Sequence, residues 1–273
     1  MVDLNFKYND AITYLKNEAP FNPEIAVILG SGLGNFADST KKVKTIQTTA
    51  IPKYPASSVE GHKGLIHFSK IENKKILIFQ GRLHFYEGYD LSDCVLPVLL
   101  SKKLGCKKII FTNAAGGINI KLQPGDLMLV ESFNSMNIKA ELTKLIGVST
   151  VEVKNYFLNC PSYKMNQIIS QTANEIGIKL QKGVYFYNKG PTYETPAEIK
   201  LIQKFGGDAA GMSTVHEAVF ASFLNMETAI ISCITNMAAG ISETKLSHSE
   251  VTVTASQAAE KFSNLLKSAI SRL

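Results

Sequence analysis

No run of apolar residues in this 273-residue chain approaches the roughly 20 needed to cross a bilayer. Cysteine is scarce: Cys94, Cys106, Cys160 and Cys233 are widely separated and form no C-x-x-C pair. That spacing argues against a disulfide framework or a zinc site and makes a reducing, cytoplasmic compartment the default expectation. The opening stretch, MVDLNFKYNDAITYLKNEAP, carries acidic residues and lacks the basic start and apolar core of a signal peptide. Strong charge imbalance is also missing. The net charge of +6 is mild, and the pairs Lys41-Lys42, Lys74-Lys75, Lys102-Lys103 and Lys107-Lys108 are scattered without interleaved aromatics. They read as solvated surface rather than a track for nucleic acid. There is no G-x-S-x-G nucleophile elbow, no P-loop lysine, no metal-ligand cluster and no acid pair placed as in glycoside hydrolysis.

What is present is a succession of short β-branched runs: 25–29, 64–68, 75–79, 108–113, 126–131, 183–187 and 227–234. Several are continuously apolar, as expected of strands covered on both faces. Helical patterns lie between them. Leu91, Val95, Val98 and Leu99 step at about 3.6 residues, as do Met165, Ile168, Ile169, Thr172 and Ile176. Phe262, Leu265, Leu266, Ala269, Ile270 and Leu273 make the clearest stripe. Strands alternating with helices, without internal repeat or linker, predict a single α/β domain over 1–273. The least periodic region, about 134–160, is expected to be a long functional loop.

Polar groups concentrate where these strands end. The run IAVIL exits into Gly30-Ser31-Gly32-Leu33-Gly34, a turn able to offer N–H groups and a hydroxyl to an anion, or simply a tight turn. It departs from the dinucleotide fingerprint, because G-x-G-x-x-G needs glycine where Asn35 stands. His62 sits in a loop between Gly61 and Gly64, and Arg82, His84, Tyr86 and Glu87 crowd the exit of KILIF. Arginine suits phosphate because its planar fork donates two parallel hydrogen bonds; the competing reading pairs Arg82 with Glu87 at the surface. Asn113-Ala114-Ala115-Gly116-Gly117 leaves a strand with no bulky side chain, so the backbone can approach a ligand closely. Tyr193 and Glu194 lie in a turn stiffened by Gly190-Pro191 and Pro196, Met212-Ser213 precede a helix capped by Ser213 or Thr214, and Asn236 ends a buried strand. Together the inventory suits a phosphate beside a sugar and a base.

The motifs GSGLG, V-x-GH-x-G, QGR-x-H-x-YEG, TNAAGG, GP-x-YET-x-AE, GMS and ITN, in this order, resemble the trimeric purine nucleoside phosphorylases. The resemblance implies a mixed central sheet, partly barrel-like and flanked by helices, in a homotrimer. It implies reversible phosphorolysis of purine (deoxy)ribonucleosides such as inosine and guanosine, with no metal or cofactor beyond phosphate as co-substrate. Carried onto this chain, it puts phosphate against Ser31, His62, Arg82, His84, Ala114 and Ser213. Asn113, Ala115 and Gly116 become the floor beneath the nucleoside, and Tyr86 and Met212 the ribose contacts. His248 matches the residue holding the 5′-hydroxyl, Tyr193 the aromatic wall, and Glu194 with Asn236 the base-reading pair. Asn236, Glu194 and His84 would carry catalysis. A glutamate accepting from N1–H favours 6-oxopurines, since adenine has no proton there.

The segment 131–167 departs from the family pattern and keeps only fragments such as Cys160-Pro161-Ser162-Tyr163. In the family it lends an aromatic to the neighbouring subunit, and Tyr156 and Phe157 stand nearest that role. Three rival readings are a methylthioadenosine phosphorylase, a nucleotide-binding dehydrogenase suggested by GSGLG alone, and a nucleoside-binding homologue that has lost turnover.

Overall fold

The computed structural model describes residues 3–59, 61–242 and 248–273, with side chains from 253 onward in the last span. Nine strands form one sheet: β1 (Ile25–Leu29), β2 (Lys41–Gln47), β3 (Leu65–Ile71), β4 (Lys74–Gln80), β5 (Lys108–Gly117), β6 (Leu127–Asn134), β7 (Leu180–Tyr187), β8 (Ala209–Gly211) and β9 (Glu227–Met237). Their order is β2-β3-β4-β1-β5-β8-β7-β6-β9, and a further β5–β9 pairing closes the last five into a ring. The sheet is mixed: β1, β4, β5 and β9 run parallel, whereas β8 meets β5 and β6 meets β9 in antiparallel fashion. The expected α/β architecture with a partly closed sheet is thus found.

The continuous apolar runs are central strands because each feeds two cores at once. In β1, Ala26 and Ile28 join the core on one face, while Ile25, Val27 and Leu29 join the core on the other. The same alternation divides Leu77 and Phe79 from Ile76 and Ile78 in β4. The C-terminal helix His248–Arg272 covers the second face through Ala255, Ala258, Phe262, Leu265, Leu266, Ala269 and Ile270, all buried. Phe262 meets Phe36 edge-on, with ring centroids 6.1 Å apart.

Two expectations need correction, and one strand escaped the sequence reading. The 91–99 pattern is two helices, Leu91–Cys94 and Leu96–Lys103, with Pro97 in the first turn of the second. The 134–160 region is not a long loop; it holds a 3-10 turn, Met136–Ile138, and the helices Lys139–Ile146 and Val151–Phe157. Those helices are eight and seven residues long, too short to repeat an apolar stripe. Strand β2, KKVKTIQ, went unread because it is an exposed edge strand whose lysines face water. Within this segment Phe157 packs against the chain's own core, and the Tyr156 hydroxyl donates to Glu152 on the same helix. Among the described residues no helix is long and apolar enough to cross a membrane.

Replacing Phe262 with alanine should cost about 3–5 kcal/mol, the usual range for a buried aromatic. Urea denaturation at unchanged m-value is the check; a loss below about 1 kcal/mol would show that the helix–sheet seam does not depend on this ring.

Candidate active site

Because β1, β4, β5 and β9 are parallel, their C-terminal ends share one edge of the sheet, where ligand crevices of α/β folds form. A cavity of about 300 Å³ opens there, at the lower end of the size range of small-molecule sites. It is lined by Ser31, Arg82, His84, Tyr86, Asn113, Ala114, Ala115, Gly116, Tyr193, Glu194, Met212, Ser213 and Asn236, so residues spread over some 200 positions converge. His62 lies just behind this lining, with Nε2 3.1 Å from Ser31 Oγ. His248 begins the C-terminal helix, but its side chain lies outside the described residues.

One end of the cavity gathers hydrogen-bond donors around a buried arginine. Arg82 leaves β4 and sends Nη1 to the carbonyl of Thr112 at 2.8 Å and to the hydroxyls of Ser213 and Thr214 at 3.1 Å each. Its Nε lies 3.3 Å from Glu217 Oε2, with both side chains essentially inaccessible to water. The pairing of Arg82 with Glu87 is therefore not made. Burial pushes the Glu217 carboxyl up, and the Arg82 guanidinium and the Thr214 N–H, 3.1 Å away, pull against it. The same Glu217 contact closes the N-terminus of the helix Val215–Phe223, whose N-cap is Thr214. Thr214 has φ +76°, a left-handed conformation unusual for a β-branched residue. Asn113 Nδ2 donates to its hydroxyl at 3.0 Å. Arg82 Nη2 is buried without a hydrogen-bond partner among the described residues, and an anion in the cavity would supply one.

Three rings stand beside this cradle. His62 and His84 have centroids 5.1 Å apart, and His84 stacks on Tyr86 at 4.7 Å. Burial, with His84 and Arg82 adding to it, lowers His62 to about 4, so it is neutral near pH 7. Glu87 sits beneath His84: Oε1 takes the His84 backbone N–H at 2.7 Å and lies 3.0 Å from its Nδ1. Oε2 accepts from the Ser58 N–H and hydroxyl at 2.7 and 2.8 Å. Burial alone would raise Glu87, but these bonds outweigh it and hold the carboxyl at about 2. Burial also raises the Tyr86 phenol to about 12, so it keeps its proton as a donor.

The other end is flatter and more open. The register of β5 against β9 slips between Ala115 and Gly116, setting Gly116 opposite Asn236. A Cβ on Gly116 would lie 3.5 Å from Asn236 Nδ2. The Asn236 amide is oriented by Thr235, whose hydroxyl donates to Oδ1 at 2.9 Å, and by its own Nδ2 donating to Met237 O at 3.1 Å. An amide has two N–H groups, so one remains for a ligand. Glu194 Oε1 accepts from Asn188 Nδ2 at 2.6 Å. Gly190, at φ +69°, has no room for a side chain, since a Cβ there would come within 2.7 Å of Met212 Sδ and 3.3 Å of Tyr86. Among the described residues no group of three or more His, Cys, Asp or Glu is placed to hold a metal ion.

Reading the sequence missed Glu217, Thr235 and Asn188; it named Thr214 as a candidate cap, which the structure confirms, and placed Glu87 at this strand exit without its bonds to His84 and Ser58. The T-x-x-E spacing of Thr214 and Glu217 was a visible capping signal; that Glu217 would also meet Arg82, 135 positions earlier, was not.

Removing one partner of a buried ion pair typically costs about 3–5 kcal/mol, so Glu217→Ala should destabilise the fold by that order, measured by chemical denaturation. A near-neutral result would mean that water or another acid compensates Arg82. Acid stability offers a second check. The folded Glu87 carboxyl titrates near 2 against an ordinary 4.5, so its contribution is complete above about pH 4.5 and vanishes toward pH 2. Stability measured from pH 6 to pH 2 should therefore converge for the unaltered chain and Glu87→Gln at the acid end. A constant gap across that range would contradict the assigned hydrogen bonds.

A family model of the phosphorylase superfamily matches residues 24–271. Purine nucleoside phosphorylase 1 of Geobacillus stearothermophilus is 40% identical over 264 residues, covering 95% of each chain. Purine nucleoside phosphorylase 1 of Bacillus subtilis is 38% identical over 266 residues, covering 96% of this chain and 97% of the relative. The crystal structure of Schistosoma mansoni purine nucleoside phosphorylase in complex with inosine superposes with a TM-score of 0.89 at 31% identity, over 100% of this chain and 98% of that one. With its strand ring, its cavity and these relatives, the chain belongs to the phosphorylase superfamily and, within it, to the purine nucleoside phosphorylases.

Proposed function

We propose that this chain catalyses the reversible phosphorolysis of 6-oxopurine nucleosides, inosine and guanosine and their deoxy forms, to free base and (deoxy)ribose 1-phosphate. It is a pentosyltransferase acting in purine salvage in the cytoplasm, as a homotrimer, with phosphate as co-substrate and no metal or cofactor. One observation carries this reading: a single cavity holds anion donors at one end and, at the other, an acceptor, Glu194, and a donor, Asn236. Exposed apolar side chains at Val148, Val151 and Leu158 support an assembly that covers them.

Breaking the bond between C1′ and N9 leaves positive charge on the sugar and negative charge on the purine. Phosphate seated on Ser31, Arg82, His84, Ser213 and the Ala114 backbone stabilises the sugar cation through space and then attacks C1′. Asn236 donates its free N–H to N7 of the departing purine, where charge accumulates. Glu194 accepts from N1–H; with adenine the same carboxylate would face a lone pair. A methylthioadenosine preference is disfavoured by that pairing. A dehydrogenase reading meets a different objection, since GSGLG is followed by a 3-10 turn, Gly34–Ser39, rather than the α-helix on which a pyrophosphate rests.

The test is hypoxanthine release from inosine with and without phosphate, beside adenosine and methylthioadenosine. Phosphate-dependent release confined to the 6-oxopurine is expected. Preference for methylthioadenosine, or inosine binding without release, would replace this reading with the corresponding rival. Asn236→Ala should lower kcat by about 10²–10³ with the fold intact, and near-wild-type turnover would remove Asn236 from the mechanism.

A further inference from the structure

Glu194 reaches the cavity from an exposed turn, with Pro191, Thr192, Tyr193 and Thr195 all open to solvent. A glutamate there has several rotatable bonds to fix before it reads a base, and that ordering subtracts from affinity. Asn188 supplies the anchor. It follows the last residue of β7, and its backbone N–H donates to Gly211 O at 2.9 Å, so it rides on the rigid β7–β8 pair. Its Nδ2 donates to Glu194 Oε1 at 2.6 Å.

The orientation of that amide is itself fixed from outside. Asn137 Nδ2 donates to Asn188 Oδ1 at 2.9 Å and to Tyr187 O at 3.1 Å. With Oδ1 engaged, only the donor end of Asn188 faces Glu194, and an N–H group meets a carboxylate oxygen as an acceptor. Oε1 is thereby committed, which leaves Oε2 for the ligand. Asn137 lies in the 3-10 turn Met136–Ile138, where Asn134 Oδ1 holds the Met136 N–H at 2.9 Å. The next helix is tied to the same place by Lys189 Nζ on Glu141 Oε1 at 2.7 Å. So the stretch that departs most from the family pattern is wired to the base-reading carboxylate.

We infer that Asn188, oriented by Asn137, is a positioning residue that fixes Glu194 as the acceptor for the purine and so sets preference among bases. The inference rests on the proposed role of Glu194 toward N1–H. It assigns a task to the 134–138 turn: the outer support of base selection.

The experiment measures hypoxanthine and phosphate affinity by calorimetry on the full chain and on Asn188→Ala, Asn137→Ala, Glu194→Ala and the Asn188→Ala/Glu194→Ala double variant. Inosine turnover by the unaltered chain is assayed alongside. Hydrogen bonds to charged groups predict hypoxanthine binding weakened about 10–100-fold by Asn188→Ala, and about 3–10-fold by Asn137→Ala, which acts at one remove. Phosphate affinity should stay within about twofold, and Asn188→Ala should cost almost nothing further once Glu194 is absent. Wild-type hypoxanthine affinity in Asn188→Ala would overturn the inference. So would an equal loss with and without Glu194, or a parallel loss of phosphate affinity. If the unaltered chain binds hypoxanthine with this coupling but does not cleave inosine, the proposed reaction fails and the relay stands. If it does not bind hypoxanthine, both fail.

Discussion

Arg82 and Glu217 meet where water does not reach, with side-chain exposures of 1% and 0%. Either ion alone in that position would carry an effective desolvation penalty of several kcal/mol, so each is tolerable only because of the other. Their contact ties together elements far apart in the chain. Arg82 comes from the exit of β4, Glu217 from the helix after β8, and Thr112, whose carbonyl takes Nη1, from β5. The helix N-terminus, the left-handed Thr214 and the Ser213 hydroxyl are all placed by the same few bonds. The pair is thus a fold contact and a site contact at once.

It also shapes what that end of the cavity offers a ligand. Beside Glu217, whose carboxyl burial pushes up, Arg82 shares this end of the cavity with the Ser213 and Thr214 hydroxyls, so it offers directed N–H and O–H groups. His62, lowered to about 4, adds a neutral ring rather than a cation. Glu87, held at about 2, brings negative charge directly beneath His84. Donor placement rather than accumulated charge is what this end of the cavity presents. His62, His84 and Tyr86 stand in a row, with centroids 5.1 and 4.7 Å apart, and the last two line the cavity.

The legible parts were those where a local pattern and a tertiary role coincide. Ile25–Leu29 reads as a buried strand because both its faces are apolar, and both are covered. The Phe262 to Leu273 stripe reads as a helix because one face alone is apolar. Strand β2 did not read, since its lysines obey the needs of an edge rather than of a core. Strand β8 is three residues of alanine and glycine, defined by its neighbours more than by itself. Among site residues, those at strand exits were legible; the ones behind them were not. Glu217 looks like a helix cap and Asn188 like a turn residue until the fold sets one against Arg82 and the other against Glu194.

The run Asn113-Ala114-Ala115-Gly116-Gly117 shows why small residues were needed beyond leaving room for a ligand. In an unbroken parallel register Gly116 would face Thr235, because Ala115 faces Ile234. The slip inserts one extra residue in β9, and bulges of this kind re-aim side chains next to functional sites. Its effect is to set the Asn236 amide over Gly116, within 3.5 Å of where a Cβ would stand. Thr235, displaced by the bulge, turns its hydroxyl onto Asn236 Oδ1 and decides which end of the amide faces the cavity. A Cβ at 116 would only touch that amide, whereas one at 117 would come within 3.0 Å of Met237 Sδ and 3.1 Å of Ile234 Cγ2, so the tighter demand for glycine falls on 117; a regular ladder would not have brought the amide there. The bulge is therefore what aims the amide, while the small residues beside it keep the strand close to its neighbour.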